Sequence, residues 1–398
     1  MGCCQKKKQA NIENTDISQS MIDTKNIQAQ SDQIVVKDIN TNNIEELERI
    51  TYDDFIPLKL LGTGSFGRVL LVRLKRNNKL YAMKILNKTF LKKRHQEEHT
   101  KTERDLMVKI NSPFVINIKF AFQDISKLYI VTEFMQGGDM FFHLHEIGKF
   151  NDERAKFYFI ELTLALEFLH KNNMVYRDLK PENILMDSEG HIKIADFGLS
   201  KILESMDDTA YTLCGTPQYL APEVLKKKGY NKNVDWWSLG VFLYEMLTGN
   251  LPFNIPKGAP LDIEMFSVPL KFPKGINKQA KDLIKKLLNT DPEKRLGTGL
   301  GDAKNVKLHS YFKGLNWDDY QKKLVKPPYI PQFSDELDLQ YFDKMFTEED
   351  ISSGRTTMLV RSRGPSTYQN FTYTAESLKE KKEGENKEEK KDNDDEDF

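Results

Sequence analysis

The strongest constraint on how this chain can fold is a change of hydrophobic period partway along it. From Phe55 to Leu86 short β-branched and aromatic runs (Phe55 to Leu61, Arg68 to Arg73, Leu80 to Leu86) are broken by turn residues such as Asn77-Asn78. That is the pattern of an antiparallel meander, not of strand–helix–strand units. A helix is predicted around Glu97–Ile110, with Leu106, Met107 and Ile110 as its apolar positions, and two further strands at Ile116–Phe122 and Leu128–Phe134. From Asp139 onward the spacing is helical: 152–171 carries Phe157, Ile160, Leu164, Leu166 and Leu169, and 234–247 is nearly all apolar. The expectation is an α+β fold of two lobes, a small β-rich one (about 55–134) and a larger helical one (about 135–312). A single short connection between lobes leaves a cleft, where ligand sites are expected.

Composition limits what surrounds that core. Residues 5–50 are rich in Asn, Gln, Ile and Ser without a sustained period, and 377–398 are almost entirely Lys, Glu, Asp and Asn. Such segments lack the apolar surface that offsets ordering entropy, so disorder is expected at both ends. Basic and acidic residues number 59 each, which gives no overall field for nucleic acid. With only Cys3, Cys4 and Cys214, neither a disulfide framework nor a structural zinc site is expected. No apolar run approaches the roughly 18–20 residues of a membrane span. A cytoplasmic location follows as the expectation.

The chemistry is concentrated in Tyr176-Arg-Asp-Leu-Lys-Pro-Glu-Asn183, followed by Asp196-Phe-Gly198. A carboxylate, an ammonium and a carboxamide at Asp178, Lys180 and Asn183, on a tight proline-containing loop, can converge on one point. Phosphoryl transfer needs that set: a group to orient and deprotonate a hydroxyl, a cation on the migrating phosphoryl, and oxygen ligands for magnesium. Asp178 reads as the base, Lys180 as the clamp, and Asn183 with Asp196 as the metal ligands. Upstream, Gly62-Thr-Gly-Ser-Phe-Gly67 fits a phosphate-cradling loop. Because Val69 to Val72 continue as strand and not as helix, a dinucleotide fold is disfavoured. Lys84, one hairpin away, can reach the phosphates of a nucleotide.

On these motifs the chain resembles the eukaryotic protein kinases, and within them the AGC group of protein kinases A, B and C and the ribosomal S6 kinases. The resemblance covers about Phe55 to Phe312, with a tail over 313–376. It implies an ATP- and magnesium-dependent serine/threonine kinase in which Glu103 pairs with Lys84. Leu61, Gly62, Gly64, Gly67, Val69, Ala82, Thr132, Glu133, Met135 and Leu185 would surround the nucleotide. Asp235 would brace the catalytic loop and Glu223 would pair with Arg295. Asp139, Glu182 and Glu245 match positions that receive arginines ahead of the target hydroxyl, implying protein substrates with basic motifs. Thr132 stands where close relatives usually carry Met or Leu. A pseudokinase scaffold and a small-molecule kinase are the alternatives. The intact set of Lys84, Glu103, Asp178, Asn183 and Asp196 speaks against the first, and the segment from Gly215 to Glu223 against the second.

The same resemblance implies two regulatory phosphosites. Thr212 matches the activation-loop site, with Arg177 placed to receive its phosphate, and an upstream kinase like the phosphoinositide-dependent kinase would act there. Tyr368-Gln-Asn-Phe-Thr-Tyr373 resembles the group's hydrophobic motif, with Thr372 as phosphosite. Tyr368 and Phe371 would dock beside the helix of Glu103, and the hydroxyl that Tyr368 adds is expected to stay wet or bonded. Finally, Gly2, Cys3 and Cys4 followed by Lys6-Lys7-Lys8 resemble an acylation site for a membrane surface, although Lys6 departs from the Ser or Thr of that pattern. With 54 residues before Phe55, regulation by a lipid- or second-messenger-binding domain in the same chain is not expected.

Overall fold

The computed structural model describes residues 50–64, 67–94, 96–203, 208–253, 263–351, 368, 371–375 and 378. The expectations about residues 1–49, including Gly2, Cys3 and Cys4, and about the charged segment beyond Leu378 lie outside the described residues. The first lobe is an antiparallel sheet. Strands β1 (Phe55–Gly64), β2 (Gly67–Leu74) and β3 (Leu80–Asn87) form the meander, and Asn78 takes the left-handed conformation (φ +58°) that the turn between β2 and β3 requires. After a short helix α1 (Lys88–Lys93) and helix α2 (Glu97–Lys109), β4 (Ile118–Gln123) and β5 (Lys127–Glu133) complete it. The order β1-β2-β3-β5-β4 places β3, and Lys84 on it, at the centre. Alternation buries Leu60, Val72, Met83 and Val131 on one face with Phe55, Phe120 and Phe122.

The second lobe is helical. α3 (Met140–Ile147) is capped by Asp139, whose carboxylate accepts the Phe142 N–H, and α4 (Asp152–Lys171) is capped in the same way by Asn151. Four short strands follow: β6 (Met174–Val175), β7 (Ile184–Met186), β8 (Ile192–Ile194) and β9 (Lys201–Ile202) pair as β6 with β9 and β7 with β8. They hold the loops between them at the cleft. Next come α5 (Pro222–Leu225), α6 (Asn233–Thr248), α7 (Lys278–Leu287) and α8 (Asp302–Lys307). Every described residue of α6 except Glu245 is buried, so its apolar run reads as a core helix and no described helix is long and apolar enough to cross a membrane.

The chain then turns back along the outside. α9 (Trp317–Gln321) lies on α4, and residues after it pass the connection between the lobes, where Gln136 donates to the Asp335 carbonyl at 2.8 Å, to α10 (Lys344–Thr347), which packs on β1. Arg73 and Arg68 pair with Glu336 and Glu349 at 2.9 and 2.7 Å. The crossing is close: a Cβ added at Gly138 (φ +71°) would lie 2.3 Å from the Tyr341 carbonyl oxygen, so only glycine admits the tail there. Downstream, β10 (Tyr373–Thr374) adds a sixth strand to the first lobe, pairing Tyr373 with Ala121 and Thr374 with Phe120.

Candidate active site

Strand β3, helix α2 and the loops of Asp178 and Asp196 meet where the lobes face each other. β3 presents Lys84 and α2 presents Glu103; their ammonium and carboxylate are 2.7 Å apart, and Asp196 lies 3.4 Å from the same nitrogen. Burial opposes the charge on Lys84, but the Asp196 and Glu103 carboxylates outweigh it and raise its pKa. Burial pushes the Glu103 carboxyl up and Lys84 pulls against it, while the Lys84 ammonium lowers Asp196. Asp196 has φ +56°, a left-handed conformation that costs a non-glycine residue about 1–3 kcal/mol. The strain is held in place by Phe197, fully buried next to it with its ring edge-on to Tyr176 at 5.5 Å.

The loop of Asp178 is organised from beneath. Asp235, buried at the start of α6, accepts the Tyr176 N–H at 2.9 Å and the Arg177 N–H at 2.8 Å, fixing Arg177 at φ +71°. Above it, the Asn183 amide donates to the Asp178 carboxylate at 2.8 Å and Lys180 lies 3.0 Å from the same oxygen. The same NH2 group also donates to the Asp178 carbonyl at 2.8 Å. Thr216 donates to the other Asp178 oxygen at 2.9 Å and accepts from Lys180 at 2.9 Å. The sequence placed Thr216 only within the Gly215-to-Glu223 segment and gave it no place among the site residues; its spacing from Asp178 carries no local signal.

Two neighbouring cavities in the cleft share Gly62, Val69, Lys84, Glu103 and Asp196 in their walls. One of about 490 Å³ lies beneath the glycine loop and is lined by Gly62, Gly64, Gly67, Lys84, Asp178 and Asp196. The other, about 320 Å³, is bounded by Leu61, Ala82, Thr132, Met135, Leu185 and Phe342 and runs past Thr132 to Met107. A Cβ on Gly67 would strike the Ile85 carbonyl at 1.8 Å, so the fold itself demands that glycine. On Gly62 or Gly64 it would meet nothing. Those two are not needed for packing, and their bareness leaves room for an occupant of the cleft to approach the backbone. Val69 pairs with Lys84 and Ala82 with Thr132 across the sheet. Glu133, also in the wall of that cavity, pairs through its side chain with Lys193 at 2.7 Å. Phe342, stacked on Phe134 at 5.9 Å, is a wall residue that sequence reasoning placed only in the tail.

The three acidic candidates gather on one side. Burial, with Glu182 nearby, pushes the Asp139 carboxyl up to about 6. Glu245 is also raised by burial, and Glu182 adds to the effect; its partner is the Tyr219 hydroxyl. Thr212 is exposed, and its carbonyl accepts the Tyr230 hydroxyl at 2.7 Å. Arg177 reaches that same hydroxyl at 3.3 Å and the Leu199 carbonyl at 2.5 Å. Arg295 forks onto Glu223 at 2.6 and 2.9 Å, both buried. In the tail, Phe371 is buried under the Arg104 guanidinium (5.5 Å) and Tyr368 under Lys88 (5.6 Å), while Thr372 is exposed. One expectation fails here: the Tyr368 hydroxyl is buried with no partner among the described residues. Its ring meets Phe371 edge-on at 6.2 Å.

A sheet lobe and a helical lobe closing on this lysine, these aspartates and this asparagine define the bilobal kinase architecture. Residues 55–312 match the protein kinase domain family. The chain is 44% identical over 335 residues to serine/threonine-protein kinase SCH9 of Candida albicans, covering 82% of this chain and 42% of that one. It is 45% identical to protein kinase 2 of Dictyostelium discoideum over 331 residues (82% and 68%) and 45% identical to the human RAC-beta serine/threonine-protein kinase over 304 residues (76% and 63%). The chain belongs to the protein kinase family, and these relatives are kinases of its AGC group. It spans well under two thirds of the length of SCH9.

Proposed function

We propose that this chain is a serine/threonine protein kinase that moves the γ-phosphoryl group of ATP to protein hydroxyls preceded by basic residues. The observation that carries the reading is the Lys84 ammonium held between Glu103 and Asp196 across the lobes. Asp178 orients the substrate hydroxyl and takes its proton as the oxygen attacks the γ-phosphorus; the bond to the bridging oxygen breaks and ADP leaves. Lys180 and Lys84 face the phosphate oxygens, Lys84 on the nucleotide side. The donor set fits magnesium, which prefers one or two carboxylates plus phosphate oxygens over an all-protein cage. Asp196 and the Asn183 carboxamide oxygen would hold it, and it would supply charge neutralisation at the transferring phosphoryl.

The test is transfer of labelled phosphate from ATP to a basic peptide. Asp178→Asn should lower kcat by at least about 10²-fold, the least that a lost general base removes. Undiminished transfer would refute the assignment. Substrate choice rests on Asp139, Glu182 and Glu245, which favour Arg or Lys two or three positions before the hydroxyl through charge-assisted bonds. An acidic or proline-directed preference on a peptide array would overturn that part.

Regulation follows from two sites. Thr212 phosphorylated by an upstream kinase would be met by Arg177, which has no acidic partner among the described residues. Thr372 would strengthen docking of the tail behind α2. Moving a two-state equilibrium from 1:99 to 99:1 takes about 5.5 kcal/mol. One phosphate makes one to three bonds of about 1.5–3 kcal/mol each before ordering costs, which reaches that figure only at the upper end, so both sites should be needed for full activity. Thr212→Ala should nearly abolish turnover and Thr372→Ala lower it severalfold; full activity in a chain truncated after residue 340 would refute the latch. Acylation at Gly2, with Cys3 and Cys4, would anchor the kinase to a membrane surface, since one chain alone binds with a constant of about 10⁴ M⁻¹. Gly2→Ala should then release it to the soluble fraction.

A further inference from the structure

A file of alternating charges runs from the base of the helical lobe to the catalytic loop, and it contains two groups the mechanism has not used. His170, near the end of α4, has no side-chain exposure. Its Nε2 is 2.9 Å from the Asp235 Oδ2 and its Nδ1 is 3.0 Å from the Asp302 Oδ1. Both acceptors are carboxylate oxygens, so both ring nitrogens must donate, which only the imidazolium does. Asp302 also accepts the Trp236 indole N–H at 2.8 Å and the Lys232 ammonium at 3.0 Å. Its backbone sits at φ +39°, a strained conformation kept where these contacts require it. Asp235, at the other end, shares the oxygen that meets His170 with the Tyr176 N–H.

We propose that Asp302 is a positioning residue for phosphoryl transfer: by keeping His170 doubly protonated it fixes the Asp235 carboxylate, and through the Tyr176 and Arg177 amides the placement of Asp178. The proposal rests on the kinase reading above. If His170 were neutral, one nitrogen would face a carboxylate lone pair to lone pair, and Asp235 would rotate or lose a partner beneath the loop. The charged groups facing His170 are Asp235 from α6 and Asp302 from α8, with Lys232 behind Asp302. The Trp236 ring lies edge-on at 5.2 Å. On its own helix, Glu167 is engaged by Lys171 and Lys307. Burial alone would lower the imidazolium pKa, but the bonds to Asp235 and Asp302 reverse this and raise it to about 9.

The experiment uses the full chain. The wild type should show kcat falling as pH rises through about 9. Asp302→Asn should lower kcat severalfold at pH 7.5, leave both KM values within about twofold, and move the alkaline limb down by at least one pH unit. Asp302→Glu should restore part of kcat and of the limb. In parallel, nitrogen NMR of the imidazoles, assigned by loss of one signal in His170→Gln, should report both ring nitrogens of His170 protonated at pH 8. That measurement needs neither a foldable Asp302 variant nor kinase activity, so it separates failure of the network from failure of the functional reading. A neutral His170 at pH 8, an unchanged limb in Asp302→Asn, or a loss confined to KM would overturn the proposal.

Discussion

Removing one oxygen from the tail should strengthen its hold on the small lobe. In Tyr368→Phe the ring keeps its place against Phe371, 6.2 Å away and edge-on, and beneath Lys88. What disappears is a hydroxyl that is buried and unpartnered among the described residues. A buried hydroxyl without a partner costs about 1–3 kcal/mol. At 1.4 kcal/mol per tenfold, the ratio of docked to undocked tail should rise about 5- to 150-fold. The backbone bonds between β10 and β4 exist only when the tail is docked, so hydrogen exchange at Tyr373 and Thr374 reads that ratio directly. Phe371→Ala supplies the opposite sign: it empties a site that is 1% exposed, at a cost of about 3–5 kcal/mol, and exchange should approach the free rate. Since the gain is a sizeable part of the roughly 5.5 kcal/mol needed to throw the switch, Tyr368→Phe should also raise the activity of chains lacking phosphate on Thr372. Faster or unchanged exchange in Tyr368→Phe would refute the reasoning, because it would mean that the hydroxyl has a favourable partner when docked.

Three further outcomes are expected. Thr132→Met should fill the passage from the adenine cavity towards Met107 and weaken bulky ATP-competitive ligands more than ATP itself; unchanged inhibition constants would refute the volume argument. Because the Asp139 carboxyl is raised to about 6, it loses its charge as pH falls through 6, and KM for a basic peptide should rise below that pH relative to a peptide without the basic residues. Glu223→Ala leaves the buried Arg295 guanidinium without its counter-charge, which costs about 3–5 kcal/mol. The melting temperature should fall by roughly 6–20 °C, and a change within about 2 °C would show the pair to be solvated.

The sequence alone determined the elements and the chemical inventory. The helix at 152–171 was legible from its helical spacing of apolar residues, that at 234–247 from an apolar run too long for a strand, and the meander from β-branched and aromatic runs broken by turn residues. The convergence of Asp178, Lys180 and Asn183 was legible because the three lie within one tight loop whose geometry is local. Relations between residues far apart in sequence and free of local pattern were decided by tertiary structure alone. Thr216 bridging Asp178 and Lys180, Phe342 walling the cavity beside Thr132 and Asp302 reaching His170 across 132 residues are of this kind. So is the fate of the Tyr368 hydroxyl, which depends on whether the groove closing around its ring offers an acceptor. Periodicity specifies which face of an element is buried, whereas the partner a side chain meets there depends on how separate elements pack, and that sum of long-range contacts is fixed only when the lobes and the tail have closed on one another.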